Sequence, residues 1–311
     1  MGTTYHFQFA DMPSNFSRIQ IQEDLTTLLN TLDRQLFSTY VPESELSRFN
    51  RSPVNSRFMA STELIEVIAL AQDISRSSNG AFDVTVGPLV NLWGFGPVVN
   101  ASPVPDVAQI TAAKEKVGYQ HLKVNIGQSW LSKEADIYVD LSAIAKGYSV
   151  DQVANYFDSV GITSYFLDIG GELKIKGLKP GNQNWVPAVE RPVDTAPQVY
   201  QVLNSRGEEI AIAGSGDYRN YFKEDGVRYS HEIDPRTGLP VSHRLAAVYV
   251  IDSSTARADA LATAFMVLGY EQGMVLAKNI EQAVYFIVRT EDGDFTSFYT
   301  DQFARYIDSV K

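Results

Sequence analysis

The chain has no cysteine. That removes disulfide scaffolds, cysteine-ligated zinc, iron–sulfur clusters and thiol nucleophiles at once. Positive charge is also in short supply: 26 Lys and Arg stand against 37 Asp and Glu, for a formal net charge of −11. No Lys/Arg-rich run offsets that deficit, so nucleic acid is not a partner this surface would hold. The apolar runs fall well short of the roughly 20 residues a helix needs to cross a bilayer. The common nucleotide motifs are missing as well. Gly94-Phe95-Gly96 and Gly214-Ser215-Gly216 each lack the third glycine of a dinucleotide fingerprint, there is no P-loop, and Ser215 is not framed as a nucleophile elbow.

What is present is an ordinary globular composition, 44% hydrophobic and 20% charged, over 311 residues. Such a chain buries a large core as one domain or as two closely joined subdomains. Residues 5–9 alternate like a strand. Residues 18–37 and 62–79 carry apolar residues at helical spacing, the second ending at Asn79-Gly80. Asp106 is placed to cap a helix reaching Val117, and residues 121–139 read as short strands. Asp140-Leu141-Ser142 opens a helix from about 143 to 158, which Gly161 closes. Strand patterns follow at 164–169, 172–177, 185–190, 198–203, 208–213 and 245–251. Ser253 or Ser254 caps a helix to Leu268 that stops at Gly269. A short helix at 271–279, strands at 283–289 and 295–300 and a terminal helix complete the chain. Helices are separated by groups of strands and do not alternate with them one for one, so the expected class is α+β.

Polar chemistry concentrates in Ser230-His231-Glu232-Ile233-Asp234-Pro235-Arg236-Thr237-Gly238, preceded by Gly214 to Asn220. His231 is one of four histidines. It reads either as a general base, contributing on the order of 10²–10⁴ in rate, or as a structural histidine beside the Asp234–Gly238 turn. Asp259 and Thr263 are four apart on one helical face. They suit a hard cation such as Mg²⁺, or Asp259 is a solvated aspartate favoured by the helix dipole. Asp140 to Tyr148 feeds a helix N-terminus that could receive an anion with Lys146 adding charge. Alternatively, Asp140 or Ser142 is only an N-cap and Lys146 is solvated.

Taken together, eight blocks in order resemble the ApbE family of FAD:protein FMN transferases. They are Met1 to Thr4; Ser38-Thr39-Tyr40 with Ser44 to Ser47; Gly80 to Asp83 with Gly87-Pro88; Asp140 to Gly147; Gly170-Gly171-Glu172; Ser215 to Asn220; Ser230 to Gly238; and Ala258 to Thr263. The resemblance implies an α+β fold of two interlocked subdomains with FAD bound between them. It implies that Met1, Tyr40, Ala81, Phe82, Asp83, Asp140, Lys146 and Ile233 line the FAD site. Asp259 and Thr263 would bind Mg²⁺ with the backbone carbonyl of Ala143, and His231 would serve in catalysis. Some relatives carry an aspartate just before the metal-binding threonine. Ala262 stands there in this chain, so a water or phosphate oxygen would complete the metal shell.

The implied activity is Mg²⁺-dependent transfer of FMN from FAD to a threonine or serine hydroxyl of an acceptor flavoprotein, with AMP released. Subunits of sodium-translocating NADH:quinone oxidoreductases are the kind of acceptor expected. The implied location is the periplasm, with a lipid anchor whose signal and cysteine are not in this sequence. Two rivals share the site: an Mg²⁺-dependent FAD pyrophosphatase that uses water as acceptor, and a flavin carrier without turnover. A carrier would need neither the Asp259/Thr263 pair nor His231.

Overall fold

A computed structural model describes residues 2–96, 104–218 and 221–307. Met1, Arg219 and Asn220 lie outside the described residues. The centre of the molecule is a seven-stranded antiparallel sheet. Its strands run in the spatial order Tyr5–Phe9, Tyr165–Ile169, Glu172–Lys176, Ile210–Gly216, Leu245–Asp252, Ala283–Arg289 and Phe295–Tyr299. The strands expected at 5–9, 164–169, 172–177, 208–213, 245–251, 283–289 and 295–300 match these elements. Those expected at 185–190 and 198–203 instead form a separate antiparallel pair, Ala188–Glu190 with Val199–Val202. The mixture of long helices with an antiparallel sheet is α+β.

Alternation along the central strands sorts their side chains onto two cores. Val248, Val250, Val284 and Phe286 face the helices Thr62–Ser77 and Thr255–Asn279, whose Ile68, Leu261 and Phe265 complete that core. Ala247, Ile251, Tyr285 and Ile287 point the other way and pack with Trp185, Leu203 and Phe303. A third cluster joins the helices Arg18–Asn30 and Ala145–Ser159 to the first two strands through Ile21, Val153, Phe157 and Leu167.

The helix Thr255–Asn279 matters most for function. Its composition would suit a membrane span, but Ala258, Ala260, Leu261, Ala264 and Phe265 are buried against the sheet, which makes it a core helix. Ser254 caps its start. Asp151, reaching across from the helix Ala145–Ser159, accepts from the N–H groups of Thr255 at 2.9 Å and Ala256 at 3.0 Å. One carboxylate thus satisfies two donors that the first turn cannot pair internally. At Gly269 the backbone turns to φ 75°, ψ 176°, so the expected stop is a break inside one longer element.

Gly147 sets how closely these two helices meet. A Cβ there would stand 2.4 Å from the Thr255 carbonyl oxygen and 2.8 Å from the Ala256 Cα. Only glycine admits this approach.

Candidate active site

Asp259 and Thr263 emerge from the second turn of the core helix and the turn after it. Opposite them, the strand Ile210–Gly216 presents Ala211, Ala213 and Ser215 on one face. These small side chains admit the helix, and the Ser215 and Thr263 hydroxyl oxygens lie 3.5 Å apart. Asp259 is only 3% exposed. Its Oδ2 accepts the Gly147 N–H at 3.1 Å, and Lys146 Nζ lies 3.6 Å from its Oδ1. The solvated-aspartate alternative therefore falls, and so does the solvated-lysine one. Ala143 sits half-buried on the turn just before the helix Ala145–Ser159, at the same corner as Lys146 and Gly147.

Glu172, absent from the candidate site residues drawn from sequence, is the third charged member. It lies at the start of the strand Glu172–Lys176 and is 2% exposed. Its Oε1 takes the Lys146 ammonium in a short ion pair, while its Oε2 is buried with no hydrogen-bond partner. Burial pushes both carboxyl groups upward; for Glu172 the Asp259 charge adds to the rise. Burial also opposes the Lys146 charge, but Asp259 and Glu172 outweigh it and hold the ammonium above its ordinary pKa. The signal for Glu172 was in the sequence: an acid directly after the Gly170-Gly171 turn, opening a buried strand.

The donor set at this corner fits a hard divalent cation. It offers a buried carboxylate, a threonine hydroxyl and a backbone turn, and two acids face a single ammonium there. Among the described residues no three His, Asp or Glu side chains converge as a cage. Remaining ligands would therefore be hydroxyl, carbonyl, water or substrate oxygens. Ala262 is fully buried in the apolar core. Three residues after Asp259 on the same helix, it brings no carboxylate of its own to the corner.

The Ser230–Gly238 segment forms a second wall. It follows the hairpin of strands Tyr221–Glu224 and Val227–Ser230. His231 is half-buried, its Nε2 3.5 Å from Glu232 Oε1 and its ring edge-on to Phe95 with centroids 6.2 Å apart. Burial raises the Glu232 pKa, with the His231 charge opposing the rise. Ile233 is buried with Leu89 and Trp93.

Two acids near this segment, Asp234 and Asp217, are held by arginines. Asp234 takes Arg236 in a two-pronged pair at 2.8 and 2.9 Å. Asp217, 4% exposed, accepts from Arg228 at 2.6 Å and from both terminal nitrogens of Arg289 at 2.5 and 2.9 Å. Arg228 belongs to the hairpin and Arg289 to the sheet, so Asp217 clamps one to the other just ahead of His231. The turn itself is anchored by Trp93 Nε1 donating to the Gly238 carbonyl at 2.8 Å and by Lys114 Nζ donating to the Arg236 carbonyl at 2.7 Å.

The remaining candidates fall into two groups. Asp140, Tyr138 and Gly87 lie together: a Cβ at Gly87 would stand 3.4 Å from the Tyr138 ring and 3.9 Å from the Asp140 Cβ. Tyr40 is 76% exposed. Its loop is tied down by Ser47 Oγ donating to the Ser38 carbonyl at 3.1 Å. By contrast, the side chains of Ala81, Phe82 and Asp83 are buried. Asp83 accepts from Thr85 N and Oγ1 at 2.8 and 2.6 Å and from Tyr119 N at 2.9 Å, so its carboxylate stitches the loop together. The Asp140 N–H donates to the Val84 carbonyl at 2.7 Å, joining this loop to the 140–147 segment.

A buried carboxylate–hydroxyl pair, an ammonium, a helix N-terminus and a histidine at one place are the equipment of an enzyme that handles phosphate esters. The chain belongs to the ApbE family, whose model matches residues 1–287. It is 42% identical over 308 residues to an FAD:protein FMN transferase of Vibrio cholerae, covering 99% of this chain and 90% of that protein. The solved flavin transferase ApbE from Vibrio cholerae superposes with a TM-score of 0.89 at 42% identity, covering 98% of this chain and 96% of that one. The apo flavinyl transferase ApbE of Pseudomonas stutzeri gives 0.88 at 39% identity, covering 97% and 93%.

Proposed function

We propose that this protein is an FAD:protein FMN transferase that needs Mg²⁺ and attaches FMN to a threonine or serine hydroxyl of an acceptor flavoprotein. The observation that carries this reading is the convergence of Asp259, Thr263, Lys146 and His231 in a chain that belongs to the ApbE family along most of its length. Its acceptors are periplasmic or membrane-exposed flavoproteins, such as subunits of sodium-translocating NADH:quinone oxidoreductases, and the protein itself works in the periplasm on a lipid anchor.

FAD is the substrate, and its pyrophosphate brings negative charge to a protein that is acidic overall. Lys146 and the N–H groups at the start of the helix Ala145–Ser159 supply local positive potential for it. Asp259, Thr263 and the Ala143 carbonyl would hold Mg²⁺, which when bound neutralises phosphate charge and polarises the phosphoryl group. The acceptor hydroxyl oxygen bonds to the phosphorus nearer the riboflavin, the bond to the bridging oxygen breaks, and AMP leaves. His231 takes the hydroxyl proton, and the Glu232 carboxylate 3.5 Å from its Nε2 stabilises the imidazolium. Positioning and charge neutralisation do most of the catalysis in such a transfer.

The test is to incubate the protein with FAD, Mg²⁺ and a purified candidate acceptor, then denature. Flavin fluorescence that stays with the acceptor is the expected result. FMN and AMP free in solution would indicate the pyrophosphatase, and unchanged FAD the carrier.

A further inference from the structure

Two buried carboxylates share one ammonium at the cation corner. Lys146 Nζ is in a short ion pair with Glu172 Oε1 and stands 3.6 Å from Asp259 Oδ1. Asp259 cannot serve Lys146 and a divalent cation equally, because both draw on the same carboxylate. Glu172 retains spare capacity, since its Oε2 is buried and accepts from nothing.

We propose that, with no divalent cation bound, Lys146 is shared between Glu172 and Asp259, and that Glu172 is the residue that keeps the ammonium when an arriving cation takes Asp259. The proposal rests on the Mg²⁺ reading above and assigns Glu172 the part of positioning Lys146. With both acids ionised, the two carboxylates and the ammonium sum to one negative charge. A divalent cation turns this into one positive charge, and the two ionised phosphates of FAD return it to one negative. The buried corner therefore stays within one charge of neutral throughout, which limits the cost of holding ions away from water. Glu172 also keeps Lys146 at the site after Asp259 releases it, so the ammonium is in place to meet the pyrophosphate.

The competition makes the two partners act in opposite directions on the cation. In Lys146→Met the competitor is gone and a negative charge is freed, so Mg²⁺ should bind tighter by on the order of tenfold. In Glu172→Gln the ammonium leans on Asp259 alone and the corner loses a negative charge. Mg²⁺ should then bind weaker by on the order of tenfold. The measurement is calorimetric titration of chelator-stripped protein with MgCl₂ alone, paired with the Mg²⁺-induced shift of the thermal midpoint; neither needs turnover.

A purely structural role for the ion pair predicts that both variants lose affinity or that neither changes. Tighter binding in one and weaker binding in the other supports the proposal. Weaker or unchanged Mg²⁺ binding by a cooperatively folded Lys146→Met protein overturns it. Should that variant fail to fold, the double variant Lys146→Met/Glu172→Gln carries the test, because it removes one charge of each sign. It should bind Mg²⁺ more tightly than Glu172→Gln alone, and equal or weaker binding overturns the proposal. Wild-type protein that binds no Mg²⁺ overturns the metal reading itself, whereas wild-type binding with indistinguishable variants overturns only the exchange.

Discussion

Replacing Gly147 by alanine sets local preference against tertiary packing. In a helix interior alanine is favoured over glycine by roughly 0.8–1.0 kcal/mol, so the helix Ala145–Ser159 by itself should be strengthened. The new Cβ, however, would meet Thr255 O at 2.4 Å, Thr255 C at 2.6 Å and Ala256 Cα at 2.8 Å, where ordinary contact begins at 3.4 Å. All three atoms are backbone, so no rotamer change relieves them, and the two helices must move apart. Overpacking of this kind costs about 1–3 kcal/mol, and the absence of any soft neighbour puts it at the upper end. The net is a destabilisation of about 2 kcal/mol once the propensity gain is set against it. For a chain of this size that lowers the thermal midpoint by about 3 °C. The same movement draws Gly147 N away from Asp259 Oδ2, now 3.1 Å distant, so Mg²⁺ affinity should fall along with stability. Thermal and urea unfolding, together with Mg²⁺ titration of the folded variant, read both effects. A midpoint that stays or rises would refute the packing argument and leave helix propensity as the stronger term.

Three further substitutions separate the parts of the site. Asp259→Ala should abolish Mg²⁺-dependent turnover while FAD binding, followed by flavin fluorescence, persists in part; undiminished turnover would remove Asp259 from the metal corner. His231→Ala should bind FAD and stall transfer, and a wild-type single-turnover rate would show that the proton goes elsewhere. Asp217→Asn breaks a buried clamp on Arg228 and Arg289. A buried carboxylate of this kind is worth about 3–5 kcal/mol when its partners are left behind, and the half-exposed arginines reduce that to about 2–3 kcal/mol. Its kcat should drop while KM for FAD changes little, because the hairpin that places His231 is loosened. A rise in KM alone would mean that Asp217 serves binding instead.

Much of the fold could be read in one dimension. Ser253 or Ser254 and Asp106 as caps, the strand pattern of residues 245–251 and the helical spacing of residues 62–79 each concern neighbours along the chain, and the structure has caps at Ser254 and Asp106, a strand Leu245–Asp252 and a helix Thr62–Ser77. The Asp259/Thr263 pair was legible for the same reason, since positions four apart on a helix share a face whatever surrounds them. Gly269 shows the limit of such reading: it marks a break, but the helix resumes because the sheet below continues to hold its apolar side.

Contacts between distant segments were not legible. Composition shows an aspartate at 259, a lysine at 146 and a glutamate at 172, but not that they share one buried corner. Their meeting depends on the close approach of two helices at Gly147 and on the register that sets Glu172 beside them. Likewise, the Asp83 carboxylate reaches the Tyr119 N–H and Asp217 clamps Arg228 to Arg289, pairings that spacing along the chain does not announce. Periodicity tells which way a side chain faces, because backbone geometry is local. Which charge it meets there depends on strand order and helix packing, and a carboxylate's role follows from whichever cation the fold brings to it.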